Sequence, residues 1–293
     1  MCRNILERWC FRNKILSLTV GVLLAIAGRI DPTWLHRDLS SAREINLGSG
    51  CHYKALFGEG DADKSAVAGI ARYGEVMLDP KGACSAVSLP QDDQIYVVLE
   101  GSGKLTYGAD TVALEREDYV YIPEGTRHAL SNASEQGMRV IVMGFHTKGL
   151  KPAPAPQHPL KANIEDAPLQ TVSGHPSSTL YRLLLGDVNS KRDRIAAGRA
   201  VTSLFLMEIA PGGTNFPHHH PREEEIYLVL EGHGDMIAGG GMDGIEGRHP
   251  AKRGDAYFFR PNCTVGYYSA PGVKSRVLAV RSWYPGMANE TGH

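Results

Sequence analysis

The sequence predicts an all-β protein built as two tandem jelly-roll barrels. Three observations predict it. Short apolar runs rich in Val, Ile, Tyr and Phe are bounded by Gly, Asp and Pro, which is strand chemistry. Helical periodicity is weak after residue 30. The chain also repeats itself: Ile95-Tyr96-Val97-Val98-Leu99-Glu100-Gly101-Ser102-Gly103 recurs as Ile226-Tyr227-Leu228-Val229-Leu230-Glu231-Gly232-His233-Gly234, at an offset of 131. Runs such as Tyr96 to Leu99 are apolar on both faces and must be covered on both sides, as in a double-sheet architecture.

Composition bounds the function. Of 293 residues, 22% are charged and 42% hydrophobic, with 33 Gly and 17 Pro, which excludes disordered, coiled-coil and collagen-like chains. The formal charge is −1 and no Lys/Arg stripe occurs, so no nucleic-acid partner is expected.

Taken in order, the chain opens with Arg3, Arg8, Arg12 and Lys14, then a 13-residue apolar run, Ile15 to Ala27, ending in Ala25-Ile26-Ala27. Too short to cross a bilayer comfortably, this reads as a signal peptide over 1–27, with an uncleaved membrane anchor as the alternative. The expected location is secreted or periplasmic. The mature chain would carry 27 basic against 31 acidic residues and three cysteines, Cys51, Cys84 and Cys263. Two readings stand for these: a Cys51–Cys84 pair, or three buried thiols.

The N-terminal copy is placed at 45–150. Lys151-Pro152-Ala153-Pro154-Ala155-Pro156 follows, and 151–165 reads as an extended linker. The C-terminal copy is placed at 166–285. Its second repeated block, Gly254-Asp255-Ala256-Tyr257-Phe258-Phe259-Arg260, matches Glu117-Asp118-Tyr119-Val120-Tyr121-Ile122-Pro123 at an offset of 137. Six extra residues therefore fall near Gly239 to Gly244. Asp118 and Asp255 read as turn caps, and Asn262 as a residue tolerating a left-handed turn.

The C-terminal copy contains Gly212, five residues, His218, one residue, His220, four residues, Glu225, six residues and Gly232. This resembles the first motif of the cupins, G-x5-H-x-H-x3–4-E-x6-G. The N-terminal copy supplies Pro123, Gly125, His128 and Asn132 at the intervals of the second motif. The chain is therefore identified as similar to bicupins, with two double-stranded β-helix (jelly-roll/cupin) barrels. The copies depart from the pattern in complementary ways. Val87, Leu89 and Gln94 stand where the first motif has its ligands, and Val265 stands where the second has its histidine.

His218 and His220 lie two apart, so a strand aims both imidazoles at one side. With Glu225 they form a donor set suited to a divalent transition metal, Mn, Fe, Co, Ni or Zn, with positions left for water or substrate. Cys263 and Tyr267 share the strand parity of Val265, and Tyr267 is the expected catalytic phenol beside the metal. His219 has the wrong parity, and Glu223 and Glu224 read as solvated. His128 with Gln94 reads either as a hydrogen-bonded core pair or as a ligand-binding pair.

The expected function is a metal-dependent enzyme acting on a small polar substrate, by Lewis-acid or water-activating chemistry, or with iron by dioxygen chemistry. The layout also resembles the ureidoglycine aminohydrolase group, although that group is expected to place its Glu before the histidines and a Gln at Val265. The competing class is a non-catalytic binding or structural bicupin. Sheet edges make a homodimer the expected assembly.

Overall fold

Strand Asp92–Glu100 explains why its sequence is apolar on both faces. In the computed structural model Tyr96 and Val98 point into the interior of the N-terminal barrel, whereas Ile95 and Val97 join a core shared by both barrels. The equivalent strand Glu223–Glu231 does the same: Tyr227 and Val229 line the C-terminal interior, and Ile226 and Leu228 enter the shared core. The structure describes residues 33–153, 156, 158–240 and 245–288. The expected signal peptide, 1–27, lies outside them.

The N-terminal sheet runs in the order Leu160–Asn163, Asp118–Ile122, Asp92–Glu100, Met138–His146, Ile70–Cys84, His128–Ser131, Gly103–Tyr107, Asp110–Leu114, with Glu44–Gly58 also paired to Ile70–Cys84. The C-terminal barrel has a seven-stranded sheet ordered Trp34–Asp38, Asp255–Phe259, Glu223–Glu231, Ser275–Trp283, Val201–Ile209, Thr179–Asp187, Ile195–Gly198. A three-stranded sheet, Ile245–Lys252, His233–Gly240 and Cys263–Ser269, accompanies it. The extra residues of this copy lengthen a hairpin: its arms are eight residues each, against five each in the N-terminal barrel.

The barrels exchange their leading strands. Trp34–Asp38 precedes the N-terminal barrel but pairs antiparallel with Asp255–Phe259 of the C-terminal one. Leu160–Asn163 precedes the C-terminal barrel but pairs with Asp118–Ile122 of the N-terminal one. The stretch 151–165, expected to be linker throughout, is thus partly a strand of the first sheet. Proline and alanine alternation marked only its beginning.

Local details follow from residue chemistry. Asp118 accepts from the backbone of Glu115 at 2.9 Å and Asp255 from that of Lys252 at 2.8 Å, closing equivalent turns. Asn262 takes φ 64°. Cys51 and Cys84 form a disulfide across a sequence separation of 33. Closing a loop of that size restricts the unfolded chain, so Cys51→Ser should cost about 2–4 kcal/mol. Urea unfolding checks this, and an unchanged midpoint would show that the bond constrains little.

Candidate metal centre

The site is built by strand parity. Along Glu223–Glu231 the odd-numbered residues face the barrel interior, so Glu225 enters it together with Tyr227. His218 sits just before this strand, held by a backbone bridge to Val265 in both directions, 2.9 and 2.8 Å. One ligand atom from each of His218, His220 and Glu225 lies within 4.8 Å of the other two. The structure therefore brings the three sequence-predicted donors together.

Neighbouring groups fix the imidazoles. His218 donates from Nδ1 to the Phe216 carbonyl at 2.9 Å, which leaves Nε2 bare for a cation. Phe216 holds that carbonyl in place at φ 54°, a left-handed conformation costly for a phenylalanine. The His220 Nδ1 lies 3.2 Å from an Arg281 nitrogen and 3.5 Å from Glu223. Arginine can only donate, so in the Arg281 contact Nδ1 is the acceptor, and the neutral His220 ring carries its proton on Nε2, 3.4 Å from Glu225. Burial, reinforced by Arg281, pushes His220 down to about 3, and burial also lowers His218. Both rings are therefore neutral, the state a ligand requires.

Glu225 tests whether a cation fits. It is 2% exposed, and neither carboxylate oxygen has a hydrogen-bond partner among the described residues. The nearby side-chain nitrogens are His220 Nε2 at 3.4 Å and Arg281 Nε at 3.9 Å. Desolvation pushes the carboxyl up to about 8. A buried carboxylate left without donors is costly, and a divalent ion between it and the two imidazoles removes that cost. The donor set fits a metal.

Two sequence expectations need correction here. Glu224 and Glu223 are not solvated. Glu224 has the opposite parity to Glu225, so it points into the interface between barrels, where it is fully buried and accepts from the backbones of Ala68 and Gly69 at 2.8 and 2.7 Å. Glu223 shares the parity of Glu225 and is half-buried, bonded to Thr202 and to Arg281.

The structure does not bring Tyr267 to the cavity. It lies one same-face step beyond Val265, roughly 7 Å along the strand. Its hydroxyl is 3.1 Å from Ser275 Oγ, inside a buried cluster with Ser269. Cys263 points its sulfur at the Gly239 carbonyl, 3.2 Å away. Neither takes the place of the missing fourth ligand.

Sequence reasoning missed four contributors. Arg281 faces Glu225 across paired strands. His175 lines the cavity and donates from Nδ1 to the Asn215 carbonyl at 2.6 Å, with its ring 5.0 Å from that of His218. Arg192 lines the cavity from the loop after Thr179–Asp187. Asn215 is fully buried, donating to the Tyr227 hydroxyl and accepting from the Tyr267 backbone. Only Arg281 carried a signal, since its strand position opposite Glu225 follows once the pairing register is known.

Comparison with solved structures returns the same architecture. A protein named as glyoxylate-induced from Pseudomonas aeruginosa superposes with a TM-score of 0.68 at 16% identity, covering 87% of this chain and 91% of that one. The Ylba protein of E. coli gives 0.64 at 14% identity, covering 88% and 95%. An oxalate decarboxylase from Lactobacillus farciminis, solved as a formate complex, gives 0.66 at 13% identity, covering 88% of each chain. At such identities the likeness establishes the fold. No curated protein matches the sequence. The Cupin domain family matches residues 74–144 and 205–280, the two halves that the repeat had marked. The chain therefore belongs to the cupin family, as a bicupin whose His/His/Glu donor set lies in the C-terminal barrel.

Proposed function

We propose that the protein is a metal-dependent enzyme acting on a small polar substrate with an anionic head, in the C-terminal barrel. The carrying observation is the buried, unpartnered Glu225 carboxylate beside two imidazoles held neutral. His218, His220 and Glu225 would hold a divalent transition metal, which when bound supplies a Lewis acid with open positions.

The chain's own residues restrict the substrate. The cavity is small, about 40 Å³, enough for more than one water. It admits a molecule of few heavy atoms. Arg281 and Arg192 put two guanidinium groups on the lining, and a guanidinium matches a carboxylate in planar geometry. Val172, Leu183 and Phe205 supply an apolar wall that limits water. His175 offers an acceptor nitrogen, its other nitrogen being committed to Asn215. Small carboxylates are therefore the first candidates, a choice supported by the oxalate decarboxylase among the similar structures.

The test is turnover of oxalate and glyoxylate by protein loaded in turn with Mn, Fe(II), Co, Ni and Zn. Arg281→Met should lower kcat/KM about 100-fold while metal content stays unchanged. Unaltered kcat/KM would remove Arg281 from substrate recognition. Fully bound metal with no turnover would favour the non-catalytic bicupin. We infer also that the protein works in an oxidising compartment, a reading supported by the Cys51–Cys84 bond.

A further inference from the structure

We propose that the N-terminal barrel is a metal-free binding site for a small organic carboxylate with an apolar body, whose head is received by Arg72 and Tyr53. This inference does not rest on the metal reading of the other barrel.

The interior of this barrel differs from its partner's in a coordinated way. The bridge between His218 and Val265 is matched here by a bridge between Val87 and His128, so histidine and valine have changed sides. Both His128 nitrogens are engaged: Nδ1 with the Thr126 carbonyl and Nε2 with the Tyr96 hydroxyl, each at 2.8 Å. In the neutral ring Nδ1 donates and Nε2 accepts, which leaves no lone pair for a cation. Gln94 replaces Glu225, removing the carboxylate. The arginine has moved too. Gly144 occupies the strand position of Arg281, and Arg72 that of Ser203 on the neighbouring strand. A Cβ at position 144 would lie 2.8 Å from Arg72 Cγ, so glycine is what lets this arginine enter.

The result is a cavity of about 270 Å³, far larger than that around the metal donors. Val76, Val87, Leu130 and Val142 give it an apolar wall. Two of its lining residues carry donors that have no partner among the described residues. The Tyr53 hydroxyl is buried and unbonded on a residue 7% exposed, and Arg72 Nε is likewise buried and unbonded. The other edge of Arg72 meets Glu59 at 2.7 Å, and that carboxylate is 70% exposed. A ligand carboxylate can displace it, since an exposed ion pair has little net worth. A bare inorganic anion would leave the apolar wall uncovered. A neutral apolar molecule would leave Tyr53 and Arg72 without acceptors. A carboxylate on an apolar body satisfies both.

Benzoate is the probe, titrated calorimetrically into the full chain as purified, with benzamide and acetate as controls. Benzoate should bind at one saturable site, and benzamide and acetate each at least about tenfold more weakly. Arg72→Met should weaken benzoate about tenfold or more, Tyr53→Phe should weaken it several-fold, and Val87→Trp, which fills the cavity rim, should abolish it. His220→Ala, which disables the other barrel, should leave it unchanged. Thermal melting matching the parent shows that each N-terminal variant is folded. Should Arg72→Met alone misfold, Tyr53→Phe and Val87→Trp decide. No saturable binding, equal binding of benzamide, or loss of binding in His220→Ala with retention in the N-terminal variants overturns the proposal.

Discussion

Arg199→Ala should destabilise the protein by about 3–5 kcal/mol. Arg199 leaves the C-terminal barrel and reaches Asp93 of the N-terminal one at 2.8 Å and Glu124 at 2.9 Å. Asp93 is 1% exposed. Its other contacts are the Tyr121 hydroxyl and the Glu124 backbone, so truncating Arg199 leaves a buried charge with two neutral donors. The cost comes from that stranded charge more than from the lost attraction. Asp93→Asn combined with Arg199→Ala should therefore cost less than the sum of the single changes. Urea unfolding of the four proteins measures this. A loss below about 1 kcal/mol for Arg199→Ala would place the contact among ordinary surface pairs.

The same contact sets a pH dependence. The Arg199 hydrogen bond holds the Glu124 carboxyl below its usual range. A carboxyl lowered on folding contributes stability that is fully present above its unfolded value, about 4.3, and is lost as pH falls through the lower folded value. In Arg199→Ala this part of the acid decline should disappear.

Metal binding is the second large effect. Glu225→Gln, His218→Ala and His220→Ala should each abolish stable metal binding, because two remaining donors do not hold a divalent ion well. Their consequences for stability should diverge. Stripped of metal, Glu225→Gln should be at least as stable as the stripped parent, because the carboxylate it replaces has no donor in the folded barrel. With metal, the parent should gain about 2.7 kcal/mol at a hundredfold excess over Kd, and the variants nothing. Thermal melts with and without a chelator read both effects. A stripped Glu225→Gln markedly less stable than the stripped parent would mean that Glu225 serves the fold and not an ion.

Much of this was legible in the sequence because the repeat and the motif rest on spacing. His218, His220 and Glu225 needed only strand parity and one turn to be brought together. The two-faced strands foretold that both of their faces are covered, though not that the second cover is the other barrel. What parity could not show was which face met which neighbour. Glu224 looked like one of two solvated acids, yet its face turns into the other barrel. Asp93, its repeat partner, turns the same way and finds Arg199, while Glu224 finds the backbones of Ala68 and Gly69. The exchange of leading strands was hidden for a related reason: pairing across more than 200 residues, as between Trp34 and Phe259, leaves no local trace. Tyr267 was placed on the correct face but one step too far along its strand, and parity carries no information on depth. His175 and Arg192 come from irregular segments with no periodicity to read.

The central claim is that three donors of the C-terminal barrel hold one divalent cation. Elemental analysis of the full chain, purified without chelators, tests it most directly. About one transition-metal ion per chain in the parent, and none in His220→Ala, is the expected result. A parent free of transition metal, or a His220→Ala variant with the parent's content, would contradict it.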